Sequence, residues 1–268
     1  MSRLAGKVVV VTGGGSGIGR AGASGFAAEG GRVVVTDIDG ERAQRVADSI
    51  AVAGGEALAL EMDVTDRGQI QDVVDATVDR WGSVDGLFHC AVDVELVNNR
   101  DGRLTDLEDE VWDRIVTLVL TGTYNCCKLI GRQMIAQGAG SIVLTATTDA
   151  LIGCAGLDAY TAAKGGVVSV TRSFAAGVAG DGVRVNAICP SFVSSEPQRV
   201  WLEHENSKRA VDSLHLLPIA TPEEIAPLGV YLLSDESRVM TGTVLPVDSG
   251  YMAFKANVSM VDAMRVDG

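Results

Sequence analysis

Two residues in the stretch YTAAK, Tyr160 and Lys164, have the types and spacing for proton-transfer chemistry. A spacing of four residues places both on one face of a helix. A free phenol has a pKa of about 10 and is a poor base at neutral pH, but a neighbouring ammonium favours the phenolate and lowers that pKa. Such a phenol can exchange a proton with an alcohol or carbonyl oxygen. Taken alone, the pattern also fits an ordinary helix that carries a tyrosine and a lysine.

A glycine-rich stretch, VVTGGGSGIGR at residues 10–20, indicates a phosphate-binding loop. Gly13, Gly17 and Gly19 lie between a β-branched run and a helical pattern. Glycine lets the backbone turn sharply and lets a phosphate approach it closely. The helix that follows offers unpaired N–H groups and a partial positive charge to that phosphate. A tight turn with no ligand is the alternative that the loop alone leaves open.

Asp37 ends the next strand-like run, RVVVTD, 18 residues beyond Gly19. A carboxylate at that point can accept hydrogen bonds from an adenosine ribose. No Arg or Lys directly follows Asp37, so a 2′-phosphate would meet a carboxylate there. The sequence therefore predicts NAD(H) as the preferred cofactor over NADP(H). Asp63, at the end of the third run, is expected either to serve the adenine or to cap the following helix.

These residues lie among alternating strand and helix patterns, which predict one parallel sheet with helices on both faces. The strands are predicted at 7–12, 32–37, 57–63, 84–92, 141–147, 183–189 and 243–248. The helices are predicted at 17–30, 40–53, 67–81, 107–136, 158–179 and 222–233. Neither pattern is clean at 191–220, which we interpret as a substrate-binding lid, and 251–268 is interpreted as a C-terminal tail. The absence of a linker pattern favours a single domain over 1–268.

Composition excludes several classes of function. The 268 residues carry a net charge of −13, which disfavours nucleic acid and acidic membrane surfaces as partners. No window has the roughly 18 apolar residues of a membrane span, and the N-terminus lacks a secretory pattern. Five cysteines without CxxC spacing and three scattered histidines predict reduced thiols, a cytoplasmic location and no metal site.

With these motifs in order, the chain resembles the short-chain dehydrogenase/reductase family from Lys7 to about Ala253. The resemblance rests on TGGGSGIG, MDVTD, GTYNCCK, YTAAKGGVVSVTRSFA, VRVNAICP, TPEEIAPLGVYLLSDES and TGTVLPVDSG. It implies a Rossmann-type, doubly wound sheet of about seven strands and a homotetramer. It also implies hydride transfer between a nicotinamide cofactor and a small-molecule alcohol or ketone.

The resemblance assigns roles to particular residues. Tyr160 matches the acid/base, Lys164 the residue that lowers its pKa, and Thr147 the serine that holds the substrate oxygen. The residues that match cofactor positions, or lie beside them, are Gly13, Ser16, Gly17, Ile18, Gly19, Asp37, Ile38, Asp63, Val64, Cys90, Ala91, Tyr160, Lys164, Pro190 and Val193.

Three departures from the family pattern leave alternatives open. The family's Asn-Asn-Ala-Gly reads HCAV at 89–92, its helix asparagine is Val119, and its Pro-Gly is Pro190–Ser191. His89 and Cys90 are expected to pack at a strand end, and any proton relay past Val119 is expected to use backbone, water and the hydroxyls of Thr121 and Thr123. The rivals to an active dehydrogenase are a nucleotide-binding sensor with little turnover and an enzyme of the same fold with a non-redox reaction, such as a dehydratase or epimerase.

Overall fold

Seven parallel strands form one sheet in the order β3-β2-β1-β4-β5-β6-β7. A computed structural model describes residues 2–253. The strands are β1 Val8–Thr12, β2 Arg32–Asp37, β3 Glu56–Glu61, β4 Gly86–His89, β5 Gly140–Thr145, β6 Val183–Pro190 and β7 Val244–Val247. The strand order changes direction between β1 and β4, and open α/β sheets bind ligands at the carboxyl ends of the strands at such a point.

Ten α-helices cover the sheet among the described residues. They are α1 Gly17–Ala28, α2 Gly40–Val52, α3 Arg67–Trp81, α4 Val94–Arg100, α5 Asp109–Val116, α6 Gly122–Gln137, α7 Asp158–Val178, α8 Glu196–Leu202, α9 Glu205–Ser213 and α10 Pro222–Leu233. None of the helices in residues 2–253 combines the length and apolar character needed to cross a membrane.

The strands are apolar on both sides because each side of the sheet has its own core. Val8 and Val10 of β1 pack with α3, α5, α6 and α7 on one face. Val9 and Val11 of the same strand pack with α1, α2 and α10 on the other face. Successive side chains of a strand point to opposite faces. This two-sided burial explains the continuous apolar runs that predicted a parallel sheet, and it confirms the doubly wound fold.

The predicted strands and helices are present, with differences at their ends. The strand predicted at 84–92 ends at His89, because the chain leaves the sheet there to line a cavity. The helix predicted at 107–136 is α5 and α6 joined by a π-helical turn at Thr117–Thr121. Turns of this type are frequent at functional sites. Helix α4 was not predicted from the sequence.

The segment 191–220 contains two short helices, α8 and α9, neither of which contributes a buried residue. Its polar sequence hides their periodicity. Helix α8 contacts α1, where Arg20 and Glu196 form an ion pair of 2.6 Å. Gln198 also accepts a hydrogen bond from Asn98 of α4 at 3.3 Å. The predicted tail covers 251–268, and its residues after 253 lie outside the part of the chain that the structure describes.

Candidate active site

A cavity of about 1600 Å³ runs along the carboxyl ends of the central strands. It extends from the end of β2, past the glycine loop, to the space between α7 and the segment 191–220. The structure brings all of the predicted site residues to its wall, namely Gly13, Ser16, Gly17, Ile18, Gly19, Asp37, Ile38, Asp63, Val64, Cys90, Ala91, Thr147, Tyr160, Lys164, Pro190 and Val193. Their roles stay predictions.

The glycine loop has the geometry of an anion cradle. Gly13 has a φ of +61°, and a Cβ there would lie 3.0 Å from the backbone of Ala91. A Cβ on Gly19 would lie 2.1 Å from the carbonyl oxygen of Gly13, so the loop closes this tightly only with glycine. In the described part of the chain, no side chain caps α1 at Ser16, and its first turn carries no acidic residue. The first N–H groups of α1 are therefore available to a phosphate.

The Asp37 carboxylate lies against this loop with only 7% of the residue exposed. Its Oδ2 accepts a hydrogen bond from the Gly15 N–H at 3.0 Å, and its Oδ1 accepts one from the Asp39 N–H at 3.1 Å. A Cβ on Gly15 would lie 2.8 Å from Asp37 Oδ2, so glycine makes room for the carboxylate. Because a carboxylate has about four acceptor sites, Asp37 can still receive hydroxyl groups from the cavity.

Arg42 also lines the cavity, although the sequence did not suggest it. The residue stands in the first turn of α2, which folds back beside the glycine loop. Its Nε lies 3.0 Å from the carboxylate of Asp39, so part of its charge is already compensated. The signal that could have found it is its place in the first turn of the helix that begins three residues after Asp37.

The side chain of Asp63 stabilises a turn of the backbone. Its Oδ1 accepts hydrogen bonds from both the backbone N–H and the hydroxyl of Thr65, each at 2.8 Å. The cap of α3 is supplied by Asp66, which accepts from the N–H groups of Gly68 and Gln69. Of the two roles expected for Asp63, capping the helix is therefore wrong, and its place on the cavity wall leaves the adenine role as a prediction.

Tyr160 is positioned at the start of α7 by a carboxylate from another part of the chain. The helix has no cap from its own N-terminal residue, Leu157. Instead, Asp101 accepts hydrogen bonds from the N–H groups of Ala159 at 3.2 Å and Tyr160 at 2.9 Å. Asp101 follows α4, the helix that the sequence did not predict, so this contact could not be expected from the sequence.

Lys164 is buried one turn further along α7, with its Nζ 5.7 Å from the centre of the Tyr160 ring. Its Nζ donates a hydrogen bond to the carbonyl oxygen of Thr145 at 2.5 Å. Burial lowers the pKa of Lys164 to about 8. The fold thus holds the Lys164 ammonium near the Tyr160 phenol, and burial of that charge costs solvation free energy.

The predicted lowering of the Tyr160 pKa is wrong for the residues of the chain alone. Burial raises the pKa of the Tyr160 phenol above its usual value, and the nearby carboxylate of Asp149 acts in the same direction. Desolvation disfavours the charged phenolate and is the largest cause of this rise. The phenol is neutral in this environment and suited to donating a proton to a carbonyl oxygen.

His89 is a buried residue at the end of β4, as expected, and is 2% exposed. Its Nδ1 lies 2.8 Å from the hydroxyl of Thr12, which also lies within hydrogen-bond distance of the N–H groups of Cys90 and Ala91. Since that hydroxyl already accepts from two donors, it donates its proton to Nδ1, and we infer that the histidine proton is on Nε2. Burial lowers the pKa of His89 to about 3, so the ring is neutral.

Val119 lies in the π-helical turn and is buried in the apolar core. Its carbonyl oxygen accepts a hydrogen bond from the Thr123 hydroxyl at 2.6 Å. Thr121 is exposed and borders a separate shallow depression. The Thr123 hydroxyl is therefore bonded to the backbone, and Thr121 does not line the cavity of the predicted site residues. A proton relay through backbone and water past Val119 stays a prediction.

Thr147 and Asp149 form a polar pair beside Tyr160 at the end of β5. The Thr147 hydroxyl lies 3.3 Å from Asp149 Oδ2 and 3.4 Å from the carbonyl oxygen of Pro190. Burial raises the pKa of Asp149. Asp149 was not among the predicted site residues. The signal in the sequence is a carboxylate two residues beyond Thr147.

Ser191 and His215 form a second polar pair on the cavity wall. His215 Nδ1 lies 2.7 Å from the carbonyl oxygen of Val211, which can only accept, so Nδ1 carries the proton. Nε2 therefore accepts from the Ser191 hydroxyl at 2.9 Å. The Tyr251 ring lies 5.2 Å from the His215 ring and completes this wall. The serine that replaces the family's glycine thus joins the chain just after β6 to the chain just after α9.

The sheet, the glycine loop and the tyrosine–lysine pair define a nucleotide-dependent oxidoreductase. A family model described as enoyl-(acyl carrier protein) reductase matches residues 13–252. The chain belongs to the short-chain dehydrogenase/reductase family, and it is an oxidoreductase.

Named relatives are similar over nearly the whole chain. A 3-oxoacyl-[acyl-carrier-protein] reductase of Thermotoga maritima is 34% identical, covering 92% of this chain and 98% of the relative. A D-threitol dehydrogenase of Mycolicibacterium smegmatis is 35% identical, covering 93% and 94%. The crystal structure of levodione reductase superposes with a TM-score of 0.88 at 29% identity, covering 94% of this chain and 100% of the other.

Proposed function

We propose that this oxidoreductase interconverts a secondary alcohol and a ketone with NAD(H). The observation that carries the proposal is the shared cavity, which has the glycine loop and Asp37 at one end and Thr147, Tyr160 and Lys164 at the other. A nicotinamide dinucleotide is long enough to need both ends, and the uncapped start of α1 lies between them.

We call the end of the cavity that holds Thr147, Tyr160 and Lys164 the reacting end. Its residues have complementary roles in this proposal. When bound, the nicotinamide cofactor supplies or accepts the hydride. The Thr147 hydroxyl holds the substrate oxygen, and Tyr160 gives that oxygen a proton in ketone reduction or takes it in alcohol oxidation. Lys164 holds positive charge below the phenol and is itself fixed by Thr145. Asp101 positions Tyr160 through the backbone of α7.

Preference for NAD(H) over NADP(H) is supported by the environment of Asp37. Its carboxylate occupies the place where a 2′-phosphate would have to fit, and like charges repel. Arg42 could attract that phosphate, but it is already paired with Asp39 at 3.0 Å. A ribose diol, in contrast, can donate to the free acceptor sites of Asp37.

A small, uncharged alcohol or ketone is the substrate class that the charges support. The net charge is −13, and the residues lining the cavity include the acidic side chains Asp93, Glu95, Glu110, Asp113 and Asp149. An anionic carrier protein or a phosphate-bearing thioester would be repelled by this surface. The D-threitol dehydrogenase relative is therefore a better guide to substrate than the acyl carrier protein reductase. We further propose that the chain works as a cytoplasmic homotetramer, as its family resemblance implies.

The test is a panel of alcohols with NAD⁺ and ketones with NADH, followed by absorbance of the reduced nicotinamide. Tyr160→Phe should lower kcat by about 10²–10⁴-fold while the dissociation constant for NAD(H) changes little. Tyr124→Phe is the matched control, because Tyr124 is exposed and lies outside the cavity. Tight NAD(H) binding without turnover of any panel member would favour the sensor alternative. Full activity of Tyr160→Phe would exclude the proposed proton transfer.

A further inference from the structure

The carboxylate of Asp149 is a polar group at the reacting end to which the proposed mechanism gives no role. It lies in the short 3-10 turn Thr148–Ala150 that follows β5. The turn places Asp149 on the cavity wall together with Thr147 and Tyr160. Among the ion pairs of residues 2–253, none involves Asp149. Its carboxylate is therefore free of a cationic side chain.

The hydrogen bonds that Asp149 makes with Thr147 are weak. The Thr147 hydroxyl and Asp149 Oδ2 are 3.3 Å apart, and the Asp149 N–H lies 3.3 Å from the same hydroxyl. Hydroxyl-to-carboxylate hydrogen bonds are usually about 2.5–3.0 Å long. A substrate hydroxyl that donates to Asp149 at normal length would therefore form a better bond than Thr147 does.

Thr147 Oγ1 and Asp149 Oδ2 lie 3.3 Å apart, so two oxygens on neighbouring carbons of one substrate, in a gauche arrangement, can each lie within hydrogen-bond distance of one of these atoms. One oxygen of such a substrate can lie at Thr147 and Tyr160, where the proposed reaction occurs. The hydroxyl on the next carbon then lies at Asp149. When this second hydroxyl donates to Asp149, it replaces the hydrogen bond from Thr147. The Thr147 hydroxyl can then donate to the reacting oxygen instead.

We propose that Asp149 is a specificity-determining residue that binds the hydroxyl next to the reacting carbon, so that vicinal diols and α-hydroxyketones are the preferred substrates. The proposal rests on the proposed function for its assignment of the reacting end. A hydroxyl fits this place better than an ammonium group, because Lys164 already supplies positive charge near Tyr160.

The experiment compares cis-1,2-cyclohexanediol with cyclohexanol as substrates of the full chain with NAD⁺. The wild type should prefer the diol by at least about tenfold in kcat/KM, because a hydrogen bond to a charged group stabilises a complex by an order of magnitude or more. Asp149→Ala should abolish this preference, and Asp149→Asn should retain part of it, since its amide oxygen still accepts. Asp181→Ala, an exposed carboxylate at the amino end of β6, is the control and should keep the preference.

Binding to Tyr160→Phe, measured by calorimetry with NAD⁺ present, separates this proposal from the proposed function. If no alcohol is oxidised but the diol binds more weakly after Asp149→Ala is added, the dehydrogenase function fails and the hydroxyl site stands. Equal diol binding with and without Asp149, or no diol binding at all, would overturn the site. Stronger binding of trans-2-aminocyclohexanol than of the diol would overturn it in favour of a cation site.

Discussion

The carboxylate of Asp101 accepts a hydrogen bond from the backbone N–H of Tyr160 at 2.9 Å. The two residues are 59 positions apart in the chain, so the loop after α4 fixes the start of the helix that presents the phenol. The same loop is tied to α7 a second time, because Asp158 accepts from the Leu104 N–H at 2.8 Å. The proton transfer proposed for Tyr160 thus depends on a contact that is remote in sequence.

Asp101→Ala should reduce both stability and turnover. Loss of a helix cap costs about 0.5–2 kcal/mol of unfolding free energy, and the freed helix start should misplace the phenol and lower kcat. Denaturant unfolding and initial rates measure the two effects. Asp106→Ala, an exposed carboxylate in the same loop, should change neither. An unaltered kcat together with lost stability would show that Asp101 supports only the fold.

Asp37→Ala should remove the preference for NAD(H). Without the carboxylate, NAD(H) loses its ribose contact and the repulsion of a 2′-phosphate disappears, so the affinities for the two cofactors should converge within about tenfold, or 1.4 kcal/mol. Fluorescence titration with NADH and NADPH measures both dissociation constants. Asp48→Ala, on the exposed side of α2, is the control. Equal affinities of the wild type for both cofactors would contradict the assignment.

Thr147→Ala should be much more harmful to turnover than Thr147→Ser. The proposed reaction needs the hydroxyl, which serine retains, whereas the methyl group only adjusts the fit. Thr147→Val is a sharper comparison because it keeps the shape and removes the hydroxyl. Steady-state kcat/KM on one confirmed substrate is the measurement. Should Thr147→Val and the wild type be equally active, Thr147 only packs at the strand end.

The Tyr160 phenol should remain protonated in the free chain until the pH exceeds its usual pKa of about 10. Burial raises its pKa, so the fold favours the neutral form. The associated stability is fully present below the unfolded-state pKa of about 10 and is lost progressively as the pH rises from there through the raised value. The absorbance of ionised tyrosine at about 295 nm, wild type minus Tyr160→Phe, isolates this group. Tyr124 should ionise first, because its hydrogen bond with Lys128 lowers its pKa. Ionisation of Tyr160 below pH 10 would show that Lys164 dominates after all.

Sedimentation at micromolar concentration should give a tetramer of a chain of 27.9 kDa. The expectation comes from the family resemblance. A variant truncated after residue 253 separates the contribution of the tail from that of the helices. A monomer for the full chain would contradict the proposal.

Local patterns in the sequence predicted the fold well, and the residues predicted to bind the cofactor line one cavity, although their roles stay predictions. The strand runs are apolar on both faces, and glycines at Gly13 and Gly19 are required by close backbone approaches, so both signals are direct. Asp37 ends strand β2, 18 residues beyond Gly19 in the sequence. These features depend on residues close together in the chain, which is why they can be read without a structure.

The substrate end was predicted less well because its contacts join distant segments. Asp101 reaches Tyr160 across 59 residues, and Ser191 reaches His215 across 24. Helices α8 and α9 bury no residue, so they leave no apolar period in the sequence. The pKa of Tyr160 was predicted in the opposite direction because the sequence does not reveal its burial, which is the main cause of the raised pKa.

The separation of α8 and α9 from the core has a consequence for how such a protein changes through evolution. Helix α8 adheres to the rest of the molecule through exposed polar pairs, such as Arg20 with Glu196, each of which contributes less than about 1 kcal/mol. Mutations there alter the wall of the cavity with little effect on folding. A lineage carrying this fold can therefore acquire new substrates by substitution in a short segment, while the sheet and its cofactor loop stay under constraint.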